Sequence, residues 1–109
     1  MHNLTTKQIR PGDIFVSNWG YSMTLASFYE VAKVSASGKT VTYRALRKLA
    51  LGPEDAAGSV KVMPVAGEYE GAPRSRRLKV YDGRAFFTPA HHENAYLWDG
   101  TAQTENHYD

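Results

Sequence analysis

Two tight-turn signals, Ser37-Gly38 and Asp82-Gly83, each stand between short segments of strand-like sequence, and they commit much of the chain to antiparallel hairpins. Beyond the first turn, Val41, Tyr43 and Ala45 alternate with Thr40, Thr42 and Arg44, the period of a strand with one buried face. Around the second, residues 78–81 and 84–87 flank a dipeptide suited to the type I′ turn, whose twist matches that of paired strands.

Other segments extend the pattern. Arg10-Pro11-Gly12-Asp13 is dense in turn residues and leads into the apolar run Ile14-Phe15-Val16, the first strand. Residues 28–34 carry apolar side chains on both faces and read as a strand used on both sides. Val60 and Val62 precede Pro64 in a short edge or terminal strand, and residues 95–98 form a last one. Trp19-Gly20-Tyr21 reads as an ordered bend, 67–75 as an exposed loop, 89–94 as a loop and 101–109 as a polar tail. Residues 45–51 fit either the end of a strand or one helical turn, because Ala45, Leu46, Leu49 and Ala50 suit both periods.

The expectation is a mainly β fold of six to seven short strands, a strongly bent antiparallel sheet or SH3-like barrel, since curling lets a small sheet bury a face and limit its edges. At 109 residues the chain makes one domain, and its 42% apolar and 22% charged residues are ordinary for a folded protein. The absence of cysteine excludes disulfides, thiolate zinc sites and a thiol nucleophile. No apolar run approaches the roughly 18–20 residues that span a bilayer, and the first ten residues lack a secretory core, so a cytoplasmic protein without membrane contact is expected. A net charge of +2 selects no partner class.

Three groups of residues are candidates for function. His91-His92-Glu93 is the most metal-like cluster and the basis of a hydrolase reading, but neighbours on an extended chain point to opposite sides, and no further ligand follows at a suitable spacing. With no catalytic motif elsewhere, neither a catalytic residue nor a metal or other cofactor is expected. The basic residues Arg74, Arg76, Arg77 and Lys79, with Tyr81 and Tyr69 to stack on bases, support a nucleic-acid reading. Against it stands self-neutralisation by the acidic segment 91–109, which has no Lys or Arg. The third group is Trp19, Tyr21, Trp98 and Asp99, placed at turns where a scaffold can present them to a protein partner of the host or a second copy of the chain; core packing is the competing role for these aromatics.

Gly12-Asp13-Ile14-Phe15, Ser17-Asn18-Trp19-Gly20-Tyr21 and Phe28-Tyr29-Glu30-Val31 resemble a pattern found in small proteins of phages, plasmids and other bacterial mobile elements. The closing stretch Tyr96-Leu97-Trp98-Asp99-Gly100-Thr101-Ala102-Gln103, with Glu105 and Tyr108, is similar to the same group. Where that group commonly has Asp-Gln-Thr-Asn after the Trp-Gly-Tyr turn, this chain has Ser22-Met23-Thr24-Leu25. The resemblance implies a mobile-element origin and a protein that engages host machinery or defence, and it brings no activity with it.

Overall fold

The computed structural model describes residues 8–20 and 24–107. They form one antiparallel sheet of eight strands with no helix. In chain order these are β1 (Ile14–Trp19), β2 (Leu25–Val34), β3 (Thr40–Ala50), β4 (Ser59–Arg77), β5 (Lys79–Tyr81), β6 (Arg84–Ala90), β7 (Glu93–Leu97) and β8 (Gln103–Asn106). Their order across the sheet is β5-β6-β7-β1-β2-β3-β4-β8, so the sheet is open, with β5 and β8 at its edges. The fold is mainly β and antiparallel as expected, but among the described residues the strands number eight and not six to seven, and the sheet is not closed into a barrel.

Both hairpin turns form as their residues require. Gly38 has φ 77°, and Asp82 and Gly83 have φ 53° and 77°, the two positive values of a type I′ turn. The ambiguous stretch 45–51 contains no helical turn, because β3 continues to Ala50 and pairs with β4 there. The expected loop at 67–75 lies inside β4. The register between β3 and β4 jumps between Tyr43 and Ala45 and again between Leu46 and Lys48, and β4 carries Gly71 (φ 84°) and Gly67 (φ 80°) at those places. Inserted residues of this kind bend a strand without ending its pairing. Within the expected tail, residues 103–106 form β8 on the free side of β4, and the backbones of Asn106 and Thr24 exchange two hydrogen bonds of 2.9 Å.

Bending gives the sheet two buried cores on opposite faces. Alternation along β1 sends Phe15 to one and Val16 to the other. The first core joins Phe15, Val31, Val41, Tyr43, Phe87 and Ala95, with the Tyr43 and Phe87 rings 4.5 Å apart. The second joins Val16, Ala26, Phe28, Leu46, Val60 and Val62, with Trp98 edge-on to Phe28 at 5.8 Å. The face that holds Val16 is called the outer face of β5–β7, because there it is left largely open.

Candidate nucleic-acid interface

On β5, β6 and β7 strand alternation decides which side chains reach that outer face. Phe87 is fully buried in the first core, so its neighbour Phe86 must turn outward, where it stands beside Tyr96 with ring centroids 5.2 Å apart. Lys79, opposite Phe86 in the ladder, holds its ammonium 5.9 Å from that ring. Arg84 lays its guanidinium 4.2 Å from the centre of Tyr96. Tyr81 faces Arg84 across the hairpin and is 73% exposed. Arg77, Lys79 and Arg84 meet no carboxylate among the described residues. Lys79 and Arg84 with three aromatic rings thus occupy the β5 end of the sheet, and Arg77 closes the strand that precedes β5 in the chain.

Next to these pairs lies a cleft of about 530 Å³ between the sheet and the segment after β7. Tyr96 and Arg84 border it on one side, with Asn18, Asn94, Asp99 and Gln103 around the rest. Asn94 accepts a 2.8 Å bond from Thr88 through Oδ1, and Asn18 donates to Gln103 Oε1 at 3.4 Å. The Oδ1 atom of Asp99 accepts both the Thr101 hydroxyl, at 2.6 Å, and the Thr101 N–H, at 3.0 Å; these two bonds hold its carboxyl below the usual carboxylate range.

The basic run expected to act as a unit is divided. Arg76 pairs with the buried Val41 and Arg74 with the buried Tyr43, which places both on the first-core face. Arg76 donates there to the Pro89 carbonyl at 3.5 Å. Arg77 alternates to the outer face, and Lys79 and Tyr81 follow on the next strand. Tyr69 lies elsewhere, stacked under Arg44 at 4.4 Å and donating to Glu30 at 3.0 Å. Sequence reasoning missed Phe86 and Tyr96; the signal was available, because two adjacent aromatics in a strand cannot face the same core.

Among the described residues, no carboxylate of the acidic terminal segment forms an ion pair with the basic hairpin. Glu105 is 3% exposed and is turned toward the second core, where it accepts from the Ala26 N–H at 2.9 Å, from Lys48 and from His107. Burial raises its pKa, but these bonds outweigh that effect and hold it below the usual value. His107 also bonds Glu54, and the two carboxylates raise its pKa.

The metal-like cluster diverges. His91 and His92 are exposed in the β6–β7 turn with their rings 3.8 Å apart, and His92 has φ 65°. Glu93 turns inward and accepts bonds from Ser17 and, at 2.6 Å, from Tyr29. Burial and that carboxylate raise the Tyr29 pKa. Ser17 is 1% exposed, so its hydroxyl braces β7 against β1 and is closed to a substrate.

Trp19 and Trp98 are held apart. The Trp98 N–H bonds Ile14 at the start of β1, whereas Trp19 ends that strand, about 16 Å away at about 3.3 Å per residue. Trp98 is half-buried on the second core and donates to the Thr101 carbonyl at 2.7 Å. Trp19 lies on the opposite face, 41% exposed, and donates to Ser27 at 2.9 Å. Tyr21 falls outside the described residues.

No protein-family model matches the chain, and neither a curated protein nor a solved structure matches it. Among the described residues no helix is long and apolar enough to cross a membrane.

Proposed function

We propose that this domain binds single-stranded nucleic acid across the outer face of β5, β6 and β7, without catalysing a reaction. The observation that supports this reading is the juxtaposition of Lys79 over Phe86 and Arg84 over Tyr96 on neighbouring strands. Aromatic faces stack on unpaired bases of any sequence, while cations alongside them follow the phosphates. The rings on which this reading rests need unpaired bases to stack on, and a duplex keeps its bases paired and stacked on one another.

The test is fluorescence anisotropy of a labelled oligothymidine across a salt series. Three phosphate contacts, from Arg77, Lys79 and Arg84, give a slope of log K against log salt of about −2. Tyr81→Ala removes an exposed ring that no core requires, and should weaken binding by roughly 1–3 kcal/mol with the fold unchanged. Absence of binding at low salt, or binding of an acidic peptide in preference to the oligonucleotide, would refute the proposal.

A second reading, contact with a host protein, is favoured by the exposure of the Trp19 indole at the end of β1. Trp98, bonded at the far end of the strand and packed on the opposite face, would form a separate contact. Trp19→Ala should then abolish capture of that partner from a host lysate while oligonucleotide binding persists; equal capture by the variant rejects the reading.

A further inference from the structure

Resting on the proposed single-strand binding, we infer that the cleft beside Tyr96 selects guanine among the bases of the bound strand. The residues around it differ in kind from those on the rest of the face. Lys79, Phe86 and Tyr81 offer charge and ring surface, which distinguish no base from another, whereas the cleft gathers Asn18, Asn94, Asp99 and Gln103 beside the Arg84–Tyr96 pair. Base edges are distinguished by hydrogen-bond donors and acceptors of this type, with the base held against an aromatic ring or a guanidinium plane. Its volume, about 530 Å³, lies within the range of small-molecule sites.

Asp99 decides which base. A carboxylate beside a nucleic-acid strand repels phosphate, so its favourable partner is a pair of N–H groups on a base. Thr101 occupies Oδ1 with two hydrogen bonds, which with the Asp99 N–H keep the group ionised, while Oδ2 accepts from no other described residue. Guanine presents adjacent donors, N1–H and the N2 amino group, on its Watson–Crick edge, and both can converge on the two lone pairs of Oδ2. Adenine and cytosine each place a ring-nitrogen lone pair next to their single amino group, which would face the carboxylate with repulsion. Thymine offers one N–H between two carbonyls. The Asn94 amide, whose Oδ1 already accepts from Thr88, keeps its NH₂ for an acceptor such as guanine O6.

The experiment compares labelled octathymidine strands in which one central base is guanine, hypoxanthine, adenine or cytosine, titrated against the intact chain at fixed low salt. The guanine strand should bind about five- to 150-fold more tightly than the adenine strand, the range of one bidentate base contact. Hypoxanthine, which lacks the N2 amino group, should fall between them. Asp99→Asn should erase the guanine preference and leave affinity for plain octathymidine equal or raised, with a far-UV spectrum confirming that the loop change has not unfolded the sheet. Equal affinity for all four strands overturns guanine selection and leaves single-strand binding standing. Loss of binding to every strand overturns both. The base series uses the unaltered protein, so the inference stays falsifiable even if the Asp99 variant misfolds.

Discussion

Tyr43 shows how much one atom can matter in a small core. Its ring packs on Phe87 and meets Tyr29 edge-on at 5.4 Å, yet its hydroxyl is buried without a hydrogen-bond partner among the described residues. Burial raises its pKa, against the lowering influence of Arg76 and Arg74. A buried hydroxyl with no protein acceptor contributes its desolvation cost and no bond in return. Tyr43→Phe is therefore expected to leave stability unchanged or raise it by about 1 kcal/mol, as measured by urea unfolding; a loss of more than that would show a hydrogen bond at this hydroxyl. Position 43 was legible as a core residue from alternation alone. The burial of Glu105 was not, because a carboxylate in a polar segment reads as solvated, and its partners Lys48 and Ala26 lie far away in the chain.

At the level of strands, β8 depends on ionisation. Glu105 has a lowered pKa, so its contribution is complete above the unfolded value of about 4.5 and is lost as pH falls through the folded value. His107 has a raised pKa, so its contribution is complete below about 6.5 and is lost as pH rises through the folded value. Together they place the greatest stability of the β8 attachment between about pH 4.5 and 6.5. Amide exchange at Thr24 and Asn106 should be slowest in that window after correction for intrinsic rates, and His107→Gln should remove the alkaline decline; an unchanged alkaline limb in that variant would reject the assignment. The strands themselves were legible where a turn was tight, as at Asp82-Gly83. They were hidden where β4 bends, because Gly67 and Gly71 adopt the positive φ that a loop would also use, and composition does not separate a bulge from a turn.

Across the molecule, the two cores share β1, β2 and β3 as a common wall, since successive residues of those strands serve opposite faces. Damage to either core is expected to destabilise both. Phe87→Ala in the first should cost about 3–5 kcal/mol and Leu46→Ala in the second about 2–5 kcal/mol, each with a single urea transition of unchanged slope by far-UV circular dichroism. A biphasic curve in either variant would mean that the halves unfold separately. The mainly β character was readable from the alternating segments, whereas the choice of an open sheet over a barrel was not, because it depends on the bends in β4 and on where β8 joins. The common wall also separates the two tryptophans, one wet and bonded to Ser27, the other shielded against Phe28. The protein therefore contains two natural fluorophores of different emission colour, and a red shift confined to the bluer one would report loosening of the second core without any attached dye.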